Sequence, residues 1–372
     1  MNQSAGLFAA RLAVVATCCL VSINSSDAYA EGTLAWERSF PGIAQAVETD
    51  SDRFYVGGKK IEPVTPSIDL VFFMLRAYDP DTGQLLWEID ESNAIGTRLS
   101  GSAVDVATDE TGVYVGGDVQ MRNSPFLFDY TVRAYDAATG TLRWEDQTGV
   151  GGRANSISVA DGLVFTAGLT GTAVMGTLRW VVRTYDADTG ALVWEDNLPG
   201  VANSVAVHGG RVYVAGSGTH SAARAYEAST GALIWEHTGA AAGPAFHISV
   251  RGSVVLVAGT GGVYALDRVT GNLAWSRTSG LQTSIAVQGN RACVAGFQTV
   301  TAFDARSGAD SWQEDNFPTY FDSVEARGNR CFALGLNEAG FSGTLRAYEF
   351  TSGEKLWEDG FTINGKTTFF GA

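Results

Sequence analysis

Residues Ala265–Trp275 read ALDRVTGNLAW, and the same phrase returns as AYDAATGTLRW at Ala134–Trp144, TYDADTGALVW at Thr184–Trp194 and AFDARSGADSW at Ala302–Trp312. Looser copies place eight tryptophans in this setting: Trp36, Trp87, Trp144, Trp194, Trp235, Trp275, Trp312 and Trp357, with gaps of 51, 57, 50, 41, 40, 37 and 45 residues. A period of about 40 to 50 residues marks a repeat architecture in which no single unit can bury its own apolar faces. What one unit looks like therefore decides the fold.

Around the phrase the pattern is that of an antiparallel meander. In the copy ending at Trp235, Val205–Val207 alternates and stops at Gly209-Gly210, a two-residue hairpin signal. A second strand follows over Arg211–Ala215, a third over Ala223–Tyr226, and the fourth carries the tryptophan. The turn between third and fourth strands has the form D/E-x-x-T/S-G. Its acid can accept backbone N–H bonds across the turn, and its glycine takes the left-handed conformation that closes it. The alternating oxygen ligands and distal bidentate Glu of a calcium loop are missing, so the acid reads as turn chemistry.

Useful helical periodicity is absent, and strands such as Val254–Gly259 are almost continuously apolar, as expected where both sheet faces are covered. These features predict an all-β fold, a β-propeller of seven four-stranded antiparallel blades. A fourth-type strand ending at Trp36 and a first-type start at Lys366–Ala372 are left over. The alternative is an eighth, partial blade built from both termini.

The string A-x-D-x-x-T-G-x-x-x-W resembles the repeat of quinoprotein-like β-propellers, a family that includes pyrroloquinoline quinone dehydrogenases and a noncatalytic lipoprotein of the outer-membrane barrel assembly machinery. The resemblance covers nearly the whole chain after residue 30. It implies a structural role for Trp87, Trp144, Trp194, Trp235, Trp275, Trp312 and Trp357, each docking on the neighbouring blade around its turn glycine. For activity it says little, because fold does not fix function. The catalytic members resemble one another in an adjacent-cysteine disulfide near the cofactor, a calcium ligand set and an acidic base. Here the one adjacent pair is Cys18 and Cys19, and no compact set of acidic and amide residues can be assigned to calcium. No catalytic residue, metal or cofactor is expected; pyrroloquinoline quinone with calcium is the alternative.

Residues 1–30 read as a secretory signal: Arg11, the apolar run Leu12–Ile23, and a small-x-small site at Ala28, Tyr29 and Ala30. That run is too short to cross a bilayer, which takes roughly 20 residues, and no later stretch qualifies. The expectation is one propeller domain over residues 31–372, exported to the periplasm or secreted. The net charge of -15 argues against nucleic acid, whose phosphates call for a basic patch. Beyond residue 30 only Cys293 and Cys331 remain. Both follow a GNR turn, but one residue out of step, which points them to opposite faces of their sheets and predicts two buried free thiols. His208, His220, His237 and His247 are spaced by 12, 17 and 10 residues, which fits no zinc pattern.

Arginine recurs at Arg76, Arg133, Arg183, Arg224 and Arg346, three residues before the turn acid, and Glu follows Trp in six copies. A four-residue turn sets this Arg opposite Trp, and a five-residue turn sets it opposite Glu; either pair is scaffold. The connections between second and third strands carry the asymmetry. From the end of the second strand to this arginine position, the gap is 18, 16 and 15 residues in the first three units, then 8, 5, 5 and 11. The long connections hold Ile68 and Leu70, Phe126 and Phe128, and Met175 and Trp180, expected to form an apolar partner surface beside an acidic rim of Glu88, Asp90, Glu91, Asp146 and Asp196. The function expected is a noncatalytic scaffold or binding module for an envelope or extracellular protein. A quinone-dependent dehydrogenase or small-ligand binder using the axial channel is the alternative.

Overall fold

The computed structural model describes residues 20–22, 36–38, 42–65, 68–90, 100–120, 128–148, 151–171, 178–218, 223–238, 243–315, 320–336 and 342–362. Every regular element among them is a strand. β1 (Leu20–Ser22) and β2 (Trp36–Arg38) form a small antiparallel pair. Unit one comprises β3 (Gly42–Thr49), β4 (Phe54–Thr65), β5 (Ile68–Tyr78) and β6 (Leu85–Asp90). Unit two comprises β7 (Gly101–Thr108), β8 (Gly112–Gln120), β9 (Phe128–Asp136) and β10 (Leu142–Gln147). Unit three has β11 (Gly152–Ala160), β12 (Leu163–Thr170), β13 (Arg179–Asp186) and the first part of β14 (Leu192–His208). Unit four takes the rest of β14, then β15 (Arg211–Gly218), β16 (Ala223–Glu227) and β17 (Leu233–His237). Unit five has β18 (Ala245–Arg251), β19 (Val254–Gly259), β20 (Gly262–Asp267) and β21 (Leu273–Arg277). Unit six has β22 (Gln282–Gln288), β23 (Arg291–Gly296), β24 (Thr299–Asp304) and β25 (Asp310–Asp315). Unit seven has β26 (Tyr320–Arg327), β27 (Arg330–Leu336), β28 (Ser342–Glu349) and β29 (Lys355–Thr362).

Each unit is an antiparallel meander. Units three and four merge into one seven-stranded sheet because β14 pairs with β13 through residues 192–199 and with β15 through residues 200–208. The hairpins form where the sequence supplies positive φ. Gly209 and Gly210 sit at φ 58° and 72°, the mirror-image turn that matches strand twist. The first strands of successive units run side by side and their residues line one axial cavity, so the units form a propeller.

The core lies in layers between units. Tyr55, Phe73 and Leu75 of unit one meet Val106, Val113 and Val115 of unit two, and five similar layers carry the pattern on to unit seven. Both faces of a middle unit are thus withdrawn from water. Fully burying one Val, Leu or Phe is worth about 1.5 to 3 kcal/mol, which is why the strands read as unbroken apolar runs.

A repeated clasp fastens each layer. The indole Nε1–H of Trp87, Trp144, Trp194, Trp235, Trp275 and Trp312 donates to the carbonyl of Ala137, Ala187, Ala228, Arg268, Ala305 and Phe350, respectively, always in the next unit. The ring lies against the next turn glycine. A Cβ on Gly190 (φ 72°) would stand 2.6 Å from Cδ2 of Trp144, so the position excludes side chains by contact and by conformation. Asp186 accepts from the N–H and hydroxyl of Thr189, and these bonds hold its carboxyl below the usual range. Trp357 meets Phe332 of its own unit at 6.2 Å.

The arginine faces glutamate. Arg76 pairs with Glu88, Arg133 with Glu145, Arg183 with Glu195, Arg224 with Glu236 and Arg346 with Glu358. A bulge just after the turn adds the one residue that decides between the two registers. Cys293 and Cys331 share the layer between units six and seven. Opposite faces of consecutive sheets look at each other, so the offset brings the two residues into one core. Both are free and buried, and burial with the neighbouring Cys331 pushes the Cys293 thiol upward.

Candidate interaction surface and axial cavity

The end of the ring from which the connections between second and third strands emerge is built unequally. Among the described residues of unit one, β3 pairs as far as Gly42, opposite Lys60, and β6 as far as Asp90, opposite Met74. β4 and β5 continue pairing with each other through Ile61 and Val71, Glu62 and Leu70, and Pro63 and Asp69 to Thr65 and Ile68. They form a ribbon that outruns its sheet. By contrast β19 and β20 of unit five stop at Gly259 and Gly262.

Ile68 and Leu70 lie on the ribbon strand β5. Phe128 opens β9 opposite Gln120 and is 39% exposed. Phe126 and Met175 lie outside the described residues. Trp180 requires a correction: it belongs to β13, between Leu169 and Leu198, and is fully buried in the layer between units three and four. Strand alternation turns Arg179 outward and Trp180 inward, so Trp180 is removed from any partner surface. The exposed Leu85, Leu142, Leu192, Leu233 and Leu273 recur two residues before the tryptophan on the outer strands, which marks them as part of the repeat.

The acidic rim is also altered. Glu88 and Asp90 are held by Arg76 and Lys60, while Asp146 accepts from Arg183 Nη1 at 2.8 Å and from the Tyr185 hydroxyl at 2.7 Å in the next unit. Asp196 receives the same two contacts from Arg224 and Tyr226, at 3.0 and 2.7 Å. Glu91 lies outside the described residues. Burial works against the charge of Arg183, yet Tyr185, Glu195 and Asp146 outweigh it and keep the guanidinium charged. These acids close joints. The second residue after Trp bridges to the next unit at every joint from two to seven, a relation spread over about 30 to 40 residues and invisible in the local phrase.

At the axis lies a cavity of about 640 Å³, walled by the first strands and lined by Gln45, Lys59, Asn155, Asn203, His247 and Thr283, among others. A ring of side-chain to backbone bonds runs around it. Asp105, Ser156, Ser204, His247 and Ser284 accept the N–H of Ile157, Val205, Ile248, Ile285 and Val324, respectively, each in the following unit, at 2.9 to 3.3 Å. Asn155 and Asn203 donate onward to the carbonyls of Ala202 and Ala245. A bulge at each first strand aims these groups.

Those commitments decide the fit of a quinone–calcium site. Asn155 and Asn203 already donate to structural carbonyls, Gln45 already accepts from the Ser102 hydroxyl, Asp105 already accepts two backbone N–H groups, and the described cysteines lie in the layer between units six and seven. Among the described residues no cluster of three or more His, Cys, Asp or Glu is placed to hold a metal. The residues present do not fit the cofactor set.

The profile of the PQQ_2 family, outer membrane protein assembly factor BamB, matches residues 25–174, 128–257, 178–284 and 219–368 in overlapping stretches. Among curated proteins nothing matches significantly. The fold is similar to that of BamB from Moraxella catarrhalis (TM-score 0.58, 17% identity, 90% of this chain and 92% of that one). It is also similar to the computationally designed protein Ika8 (TM-score 0.61, 16% identity, 96% and 98%). A quinohemoprotein alcohol dehydrogenase from Pseudomonas putida HK5 shares it as well (TM-score 0.61, 16% identity, 84% and 66%). The repeated tryptophan clasp and the family profile coincide over nearly the whole sequence, and the chain belongs to the PQQ-repeat, BamB-like family of β-propellers.

Proposed function

We propose that this protein is an exported, noncatalytic propeller that binds another envelope protein through the end of the ring carrying the long connections of units one to three. The observation that carries the proposal is the β4–β5 ribbon, which among the described residues extends past both neighbouring strands while units five and six have tight turns at the same place. The family name supports a role in the assembly of outer-membrane proteins, and with it a periplasmic location reached by a signal at residues 1–30. Among the described residues no helix is long and apolar enough to cross a membrane. Ile68, Leu70, Phe126, Phe128 and Met175 are the proposed contact residues. Pull-downs from envelope extract with wild-type protein and with F126S/F128S test the proposal. Loss of one specific partner with unchanged melting supports it, and identical profiles defeat it.

The ring count belongs to the same proposal. Seven units are read as seven complete blades, with a further partial blade from the two termini between the seventh and the first. Two observations favour that place. The layer of Ala44, Val47, Phe54, Val56, Met74 and Tyr78 contains residues of unit one alone, and β26 and β3 do not meet as other consecutive first strands do among the described residues. No cofactor is assigned. Titration of purified protein with pyrroloquinoline quinone and calcium should leave the quinone absorbance that of the free compound, and dye-linked alcohol oxidation would reverse this reading.

A further inference from the structure

Comparing the units with one another isolates residues that the scaffold does not require. After the glycine near the end of the second strand, the units carry Lys59, Asp118, Leu169, Ser217, Thr260, Phe297 and Leu336 in turn. Facing the first four on the first strand are Ile43, Ser102, Arg153 and Val201. Units four and seven build the same ladder there without charge, and in units five and six the position falls beyond the end of the ladder. The three charged residues fall in the three consecutive units with long connections, Lys59 and Asp118 on second strands opposite the starts of β3 and β7 and Arg153 at the start of β11, and therefore at one mouth of the axial cavity. Lys59 and Asn155 line its wall.

Asp118 and Arg153 do not satisfy each other. Among the described residues Asp118 makes no hydrogen bond or ion pair, and Arg153 makes one hydrogen bond, from Nε to Asn155 Oδ1 at 2.8 Å, leaving the fork of its terminal nitrogens uncommitted. Burial pushes the Asp118 carboxyl up to about 6 against the pull of Arg153 and Lys59. Burial lowers Lys59, with Asp118 opposing that shift and Arg153 adding to it. Two cations face one carboxylate that its surroundings hold poorly, within a chain whose net charge is -15.

We propose that Lys59, Asp118 and Arg153 form a binding site for a small free dicarboxylate at the mouth of the axial cavity. One carboxylate of the ligand takes the terminal nitrogens of Arg153 in a forked pair and the other is drawn to Lys59. Asp118 sets the pH dependence: its negative charge opposes the ligand, and protonation removes that opposition. The site goes beyond the protein-partner reading, and either can fail alone.

Oxalate is the probe, because it remains a dianion between about pH 5.5 and about pH 7.5, where Asp118 changes charge. Calorimetric titration of the full chain at constant ionic strength should show saturable binding, about tenfold tighter at the lower pH. D118N should bind at the higher pH as tightly as wild type does at the lower one, with the pH dependence gone. R153Q should weaken binding about tenfold or more at both values with unchanged melting; if it fails to fold, K59Q makes the same test. Absence of saturable binding at millimolar oxalate, wild-type affinity in the charge-removing variant, or retained pH dependence in D118N overturns the assignment.

Discussion

Units two to four and units five and six are the same sheet treated in two ways. In the first group an arginine on the third strand pairs with the glutamate of its own fourth strand, and in units three and four its outer nitrogen crosses to an aspartate of the unit before. In the second group Tyr264 and Thr301 stand in place of that arginine, and Ser276 and Gln313 in place of that glutamate. The joint changes with them. Where an aspartate would cross from unit four, His237 lies over Tyr264 at 5.7 Å and reaches the Gly271 carbonyl at 3.2 Å. From unit five Arg277 lies over Phe303 at 5.1 Å and donates to the Gly308 carbonyl. Both partners of a joint have changed together while the tryptophan and glycine clasp stayed. The clasp is therefore the common requirement of the ring, and the polar bridge is an interchangeable supplement.

The clasp carries the largest expected effect. Trp144→Ala and Trp275→Ala should each cost about 3 kcal/mol in urea unfolding, because each removes a packed indole and leaves a cavity between units. A large cost in only one of the two groups would show that the joints are not equivalent. Gly190→Ala should cost about 2 kcal/mol through its positive φ and its approach to Trp144.

The polar bridges carry smaller effects. Arg183→Gln should cost about 1 kcal/mol, shrinking in high salt, because its acids are partly exposed; Thr301→Val in the plain group should stay within about 0.5 kcal/mol. Installing Asp, Arg and Glu at 237, 264 and 276 together should recover a coupling of about 0.5 to 1 kcal/mol that the single substitutions lack, measurable in a mutant cycle.

Two acids give opposite pH signatures. The N–H and hydroxyl of Ser352, with Thr351, depress Glu349 to about 2, so its contribution is present above the unfolded value near 4.3 and lost as pH falls toward about 2. Glu349→Gln should remove that part of the acid-induced fall in melting temperature. Asp118 is raised to about 6, so the folded chain binds its proton more tightly and stability declines as pH rises from about 4 to about 6. Asp118→Asn should raise the melting temperature at neutral pH and leave it nearly unchanged at about pH 4.

Much of the ring was legible in the sequence because its rules are local. Gly209-Gly210 specifies its hairpin, and Asp186, Thr189 and Gly190 specify their turn, within six residues each. The site was less legible. Trp180 follows an apolar connection without a clear break, and only its alternation with Arg179 on β13, a two-residue period, decides its exposure. Asp146 and Asp196 read as rim charge because their partners Arg183 and Arg224 lie 37 and 28 residues away, across a layer that local pattern does not encode. The bonds around the axis depend on one-residue bulges at Asn155 and Asn203, which polar residues in a strand suggest only after the pairing is known. The unequal connections could be counted directly.

The proposed docking face is the mouth bearing the long connections. Photo-crosslinking residues placed singly at Ile68, Phe128 and, at the opposite end of the ring in unit four, Leu233 test it most directly in intact cells. Adducts to one envelope protein from positions 68 and 128, with none from 233, are the predicted result; adducts from 233 alone, or equally from all three, would contradict it.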